Sequence, residues 1–209
     1  VMTSKGPTSS IRVSTWNPKL QRYQGANGRI IGQPQMVEKR NEFVEAQKAE
    51  VVKLVNRMAD KEITWNQWVR EMQTVIRLTH MDLLSLGSGG RGQVTQKQWD
   101  DLAFKTLPTQ YDFLKDFAHK ILDGQYSRLQ VLLYAQQYIG TAVASYDNGR
   151  RGAARQAGFT LERNVLDAQA EHCNGCQTAT NRGWVPIGSL YPPGQRDCLG
   201  NCRCHLEFR

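Results

Sequence analysis

The sequence predicts a mainly α-helical protein with an extended N-terminal arm and a small, loop-rich C-terminal module that contains some β structure. Apolar residues recur at helical spacing through the middle of the chain, whereas Gly, Pro and basic residues crowd its beginning. All five cysteines lie in the last 37 residues. We therefore divide the 209 residues into a basic arm (1–33), a helical domain of four or five helices (34–157) and a cysteine-rich module (158–209).

Composition and charge exclude several classes of protein. The chain has 27 Lys and Arg against 19 Asp and Glu, a formal charge of +8, and 40% of its residues are hydrophobic. No apolar run approaches the ~20 residues that a membrane span needs. The first residues lack the basic-then-apolar order of a signal peptide. We therefore expect a soluble, globular protein that is made in the cytoplasm and has no membrane partner.

The N-terminal arm is basic and has no helical periodicity. Its turn signal is the Gly25–Gly28 segment, which lies between Tyr23 and Ile30. Such an arm is either a solvated terminus or a segment that becomes ordered on an acidic partner. It contains no acidic residue and five basic ones: Lys5, Arg12, Lys19, Arg22 and Arg29.

Helix start signals accompany the periodicity of the helical domain. Pro34 suits the start of the first helix. Thr64 with Gln67, and Thr95 with Gln98, have the spacing of capping boxes, in which the two side chains satisfy free backbone groups at a helix N-terminus. The second and third helices are therefore predicted to begin at these threonines.

Two further features of the helical domain need an interpretation. The longest helix is predicted from about Ser127 to about Tyr146, with Leu129 and Leu133 on its inward face. Glycine-rich loops that bind phosphate follow a β-strand, but no strand is predicted before the glycine-rich Gly87–Gly90 segment. We therefore interpret this segment as a connection between helices.

The cysteines supply the strongest local signal. Two residues separate Cys173 from Cys176, and Cys198, Cys202 and Cys204 follow after a spacer of 21 residues. A Cys-x2-Cys turn with a second cysteine cluster at a distance is the ligand pattern of structural zinc sites. An odd number of cysteines disfavours a set of disulfides, which would also need an oxidising compartment. We predict a structural Zn²⁺ held by four of the five thiolates.

The spacing leaves the spare thiol open. The Cys-x2-Cys pair is the safest prediction for two of the ligands. The other two are predicted to be Cys202 with either Cys198 or Cys204. If Cys202 and Cys204 lie on a strand, their side chains point the same way. His172 and His205 flank the cluster and could each replace a cysteine. With five thiols present, we interpret both as polar neighbours.

Catalytic motifs are missing from the sequence. A catalytic zinc would need an open coordination position and a general base. Glu171 is close to the cysteines, but the deaminase pattern of His-x-Glu before Pro-Cys-x2-Cys does not occur. Nucleophile-elbow, His-Glu-x2-His and Walker motifs are missing as well. We therefore expect a protein that is not an enzyme.

Four segments of the cysteine-rich module together form a recognisable pattern. They are Arg163-Asn-Val-Leu166, Cys173-Asn-Gly-Cys176, Gly183-Trp-Val-Pro-Ile-Gly188 and Asn201-Cys-Arg-Cys-His-Leu206. The pattern resembles the C-terminal end of phage minor head proteins, the head-morphogenesis proteins of the Mu F and SPP1 type. Where many members of that family have a His shortly before the terminal Cys-x-Cys, this chain has Cys198 at a slightly different spacing.

The resemblance implies a structural protein of a tailed-phage head, present in several copies inside the head or at the portal vertex. Such proteins bind portal or major capsid protein and assist head assembly, packaging or ejection, and some contact DNA. The protein would pass from the host cytoplasm into the virion. The basic arm fits DNA or an acidic groove on a capsid protein. Trp184, Tyr191 and Phe208 would either contact the partner or pack around the zinc.

Two other functions explain part of the sequence. A zinc-containing nucleic-acid-binding protein would concentrate basic residues around the cysteines, whereas residues 161–209 contain five basic and five acidic side chains. A metal-dependent nuclease or hydrolase would need a further set of His and Asp ligands, and the chain has four His. Both stay as alternatives to the head protein.

Overall fold

The computed structural model describes residues 15–17, 20, 22–25 and 27–209 and is mainly helical, which confirms the predicted fold class. Its α-helices are α1 (Gln33–Ala59), α2 (Trp65–Ser88), α3 (Gln96–Asp101), α4 (Leu107–Leu122), α5 (Arg128–Thr141), α6 (Val143–Gln156) and α7 (Asn174–Asn181). A π-helical turn joins α3 to α4, and no helix in these ranges is both long and apolar enough to cross a membrane.

Two small antiparallel sheets flank the helices. The N-terminal sheet has the order β1-β2-β3, and the C-terminal sheet, beside the cysteines, has the order β5-β4-β6. Short 3-10 turns precede α3 and β6. The strands are β1 (Thr15–Asn17), β2 (Arg22–Gln24), β3 (Ile30–Ile31), β4 (Leu161–Val165), β5 (Val185–Pro186) and β6 (His205–Phe208).

The N-terminal sheet packs against the end of α2. The rings of Trp16 and Tyr23 meet edge to face with centroids 5.0 Å apart, and both are buried. The Tyr23 hydroxyl donates a hydrogen bond to the Gly87 carbonyl (2.5 Å), and the Trp16 amide donates to the Gly89 carbonyl (3.1 Å). Gly89 has a φ of +82°, and a side chain there would overlap Trp16.

The predicted arm is therefore in part a docked sheet. The chain reverses between β2 and β3, where the amide of Gly25 donates to the carbonyl of Arg29 (2.9 Å), as the turn signal predicts. Three of the arm's basic residues, Lys5, Arg12 and Lys19, lie outside the described residues.

Both predicted capping boxes are present. The Thr64 hydroxyl accepts from the Gln67 amide (3.3 Å), and the Gln67 side chain accepts from the Thr64 amide (2.8 Å). Thr95 and Gln98 make the same pair of hydrogen bonds at 3.3 and 2.9 Å. These bonds satisfy backbone amides that a helix leaves free at its N-terminus, so α2 and α3 begin where the sequence predicts.

The prediction of one long helix over 127–146 is wrong. The helix breaks at Ala142 into α5 and α6, and α1 is the longest helix. Beyond the break, α6 crosses α2 at close range, and Gly149 lies so near the Leu84 carbonyl that a Cβ would overlap it. Leu129 and Leu133, predicted to face inward, are 65% and 54% exposed.

Three buried arginines of the helical domain hold the C-terminal module. On α1, the fully buried Arg40 donates to the carbonyl of Cys204 (3.2 Å). On α6, Arg150 donates to the carbonyl of Leu206 (2.6 Å). Next to it, Arg151 forms a buried ion pair with Glu162, at 2.8 and 2.9 Å. These contacts place the cysteine segment directly against α1 and α6.

Candidate metal centre

Three short segments bring the cysteines together. Cys173 is the N-cap residue of α7, and Cys176 lies in its first turn. Cys198 precedes the second 3-10 turn, which ends just before Cys202, and Cys204 stands immediately before β6. The thiols thus come from the start of α7 and from the loop before β6, and the sheet and α7 determine where these segments meet.

Polar contacts fix the two loops relative to each other. The amide of Gly175 donates to the Asp197 carboxylate (2.9 Å), which joins the Cys-x2-Cys turn to the loop before Cys198. The side-chain amide of Asn164, on β4, donates to the carbonyl of Cys176 (3.3 Å). The turn is therefore held from both sides by hydrogen bonds within the protein.

The five thiols form two groups of three that share Cys176. One group contains Cys173 and Cys198, the other contains Cys202 and Cys204, and within each group all sulfur atoms lie within 4.8 Å of one another. The Cys176 sulfur is 3.6 Å from the sulfurs of both Cys198 and Cys202. These groups could hold a metal ion.

The sulfur–sulfur distances favour a metal over a disulfide. A tetrahedral ion with bonds of about 2.3 Å to sulfur separates two thiolates by about 3.8 Å, whereas a disulfide joins its sulfurs at about 2.05 Å. The 3.6 Å separations around Cys176 match the first geometry, and all five cysteines are free. Cys176 is the one thiol placed to serve an ion in either group.

Burial and hydrogen bonding shape the chemistry of the thiols. Cys176, Cys202 and Cys204 are buried, and Cys173 and Cys198 are half-buried. A hydrogen bond from the Cys204 thiol lowers the pKa of the Cys202 thiol, while burial raises the pKa of Cys176. The cluster thus favours a thiolate at Cys202, and thiolate is the form that binds metal.

One buried cation faces this cluster. Arg196 is 6% exposed, and its Nη1 atom lies 3.7 Å from the Cys176 sulfur. Its Nη2 atom is buried with no hydrogen-bond partner among the described residues. A buried guanidinium requires nearby negative charge, which metal-bound thiolates would supply. The close approach of this guanidinium, with its unpartnered Nη2 atom, to the Cys176 sulfur therefore fits metal-bound thiolates at this site.

The histidines occupy different surroundings. The Nδ1 atom of His172 lies 3.9 Å from the Cys204 sulfur, beside the second thiol group. His205 is on β6, where burial and then the charges of Arg150 and Arg40 lower its pKa to about 4. His80 is packed between α2 and α6, 2.7 Å from the Ser145 hydroxyl. His172 is thus the histidine whose ring contacts a cysteine sulfur.

The supporting residues were missed by the sequence analysis. Arg40, Arg150, Arg151 and Arg196 stand in amphipathic or loop segments and read as ordinary surface cations. For one of them a signal existed: Arg150 lies four residues after Tyr146, so a continuation of the predicted helix would put it on the same face. An arginine on a buried helix face needs a buried hydrogen-bond acceptor, so such a contact could have been predicted.

Comparisons of this chain with protein-family models, with curated proteins and with solved structures find no match.

Proposed function

We propose that this chain is a structural minor head protein of a tailed phage, in which a zinc ion stabilises a C-terminal docking module. One observation carries the proposal. The four segments that resemble the head-protein pattern are separate in sequence but come together in one module. Three of them contribute to β4, β5 and β6 of one sheet, and the fourth is the Cys-x2-Cys turn beside it. Their proximity supports the proposal, because the residues that carry the resemblance belong to a single folded unit.

The proposed metal is structural zinc. Thiolate-rich tetrahedral sites favour Zn²⁺ among common cellular ions, and structural sites are closed by their four protein ligands. More than four thiols are available here, and three of them are buried. Such a centre would supply the stability that a module of this size cannot obtain from apolar packing.

The proposed partners are portal or major capsid protein, contacted in several copies per particle. Exposed apolar side chains support an assembly role, because large groups of them mark interaction surfaces. Leu129, Leu133 and Tyr134 lie exposed on α5, and Tyr191, in the module, is 78% exposed. Phe208 instead packs beneath Arg150, 5.0 Å from its guanidinium, so Tyr191 is the better candidate contact.

DNA is a further proposed partner, and one observation also favours the alternative of a zinc-containing nucleic-acid-binding protein. Two guanidinium groups lie over the ring of Trp184, those of Arg163 and Arg209, at 4.8 and 4.5 Å from its centroid. Aromatic rings beside arginines are typical of surfaces that bind single strands. No such observation favours a nuclease or hydrolase, since the metal-ligand groups among the described residues consist of cysteines.

Analysis of purified particles tests the proposal. Phage particles are purified from cells that carry the gene, their tails are removed, and the head proteins are identified by mass spectrometry. We expect the chain in the heads in several copies, and binding of the purified chain to the portal or major capsid protein of the same phage. Heads that lack the chain would overturn the head-protein proposal, and specific binding to DNA alone would favour the alternative.

A further inference from the structure

Arg196 is a buried charge without a carboxylate partner. The ion pairs between described residues do not include it. The nearest acidic side chain in sequence, Asp197, accepts a hydrogen bond from the amide of Gly175. Buried guanidinium groups are strongly disfavoured unless negative charge lies close to them. The fold must therefore supply that charge in some other form.

Neutral groups hold this guanidinium in a fixed position. Its Nε atom donates to the carbonyl of Tyr191 (2.8 Å), and its Nη1 atom donates to the side-chain oxygen of Asn164 (2.7 Å). Asn164 is itself held by hydrogen bonds to the carbonyl of Cys176 and to the Thr180 hydroxyl. Asn164 and Arg196 thus form a rigid support beside the Cys176 sulfur.

We propose that Arg196 is the counter-ion of the metal–thiolate centre, a positioning residue that raises the affinity of the cysteines for metal. The proposal rests on the zinc centre proposed above. Its basis is the 3.7 Å distance from Nη1 to the Cys176 sulfur, together with the unpartnered Nη2 atom. Cys176 is the thiol shared by both groups, so its charge matters for either choice of ligands.

Metal binding changes what Arg196 contacts. Thiols lose their protons when they bind zinc, and four thiolates around Zn²⁺ carry a net charge of −2. A thiolate accepts a much stronger hydrogen bond from a guanidinium than a thiol does. Arg196 is therefore poorly compensated without metal and well compensated with it. Because this coupling is reciprocal, a bound metal stabilises the buried charge of Arg196, and the charge of Arg196 in turn raises the affinity for metal.

The test compares Arg196→Gln and Arg196→Lys with Arg182→Gln. Arg182 is an exposed arginine of the same module that donates to the Ser189 carbonyl, so it controls for loss of charge alone. Zn²⁺ affinity is measured on the full chain by competition with a chelator. We expect Arg196→Gln to weaken binding by about 10- to 100-fold, as loss of outer-shell partners does, Arg196→Lys to recover part of the loss, and Arg182→Gln to bind like the wild type.

Two further readouts separate this role from ordinary packing. In the Co²⁺-loaded protein, loss of the positive charge should move the thiolate-to-cobalt absorption band of Arg196→Gln to lower energy. Thermal unfolding with and without metal should show a larger loss of stability in the metal-bound form. Equal losses of stability in the metal-bound and metal-free forms, or wild-type zinc affinity in Arg196→Gln, would overturn the role of Arg196 without overturning the zinc centre. A wild-type chain that binds no zinc would overturn the centre itself.

Discussion

The helical domain and the cysteine-rich module are stabilised in different ways. In the helical domain, Trp68, Met72 and Ile76 of α2 are fully buried in one continuous apolar core. The module has two small buried clusters, one of three cysteines and one formed by Ala179, Leu190 and Leu206. The first region buries a large apolar core, whereas the second buries little apolar surface, so its stability depends on contacts with the first region and on the proposed zinc.

Removing the shared thiol should have the largest effect. Cys176→Ser takes a ligand from both thiol groups, so we expect loss of zinc and unfolding of the module while α2 stays folded. Zinc contributes on the order of 10 kcal/mol in small metal-dependent domains. Hydrogen exchange should show lost protection in β4 and β6 and retained protection in α2. The control, Thr178→Ser, changes an exposed residue of the same helix and should preserve both.

A side chain added where α2 crosses α6 should instead destabilise the helical domain. A Cβ at Gly87 would overlap the carbonyl of Tyr146, so we expect Gly87→Ala to destabilise the helical domain by roughly 4 kcal/mol. Chemical denaturation monitored by far-UV circular dichroism measures the loss. Gly92→Ala, where nothing lies within 4 Å of the added carbon, is the control. A small loss in Gly87→Ala would mean that the two helices can separate at low cost.

The contact between the two regions should come next in size. The Arg151–Glu162 pair is buried, and Glu162 also accepts from the amide of Leu190 (3.0 Å). Glu162→Gln leaves the guanidinium without its charge partner, which costs about 3 kcal/mol for buried pairs. Glu207→Gln, which removes the partner of Arg163 in a partly exposed pair, should cost under about 1 kcal/mol. Similar losses in both variants would show that the first pair is not shielded from water.

What the sequence predicts well differs between the regions for a physical reason. Capping boxes and apolar periodicity are local signals, so the starts of α2 and α3 follow from Thr64 and Thr95. The close approach of Gly149 to Leu84 of α2, beyond the break at Ala142, is a contact between residues distant in sequence, which periodicity does not reveal. The cysteine spacing predicts a metal site, but the sharing of Cys176 and the place of Arg196 depend on loops that meet only after folding.

The smallest effect should come from pH, through His80 in the core of the helical domain. Burial lowers the pKa of His80 to about 4, so the folded protein binds this proton less readily than the unfolded chain does. The stability that depends on neutral His80 is therefore complete above pH ~6.5 and is lost as the pH falls towards 4. At pH 4.5 the loss amounts to about 2.5 kcal/mol.

His80→Gln should lack this dependence. Acid also protonates other groups and would release the proposed zinc, but those effects are common to both proteins and cancel in the difference. We therefore expect the stability gap between wild type and His80→Gln to narrow by about 2.5 kcal/mol from pH 7 to pH 4.5, measured by urea denaturation. A constant gap would mean that His80 reaches solvent, and hence that the α2–α6 contact opens more readily than its burial indicates.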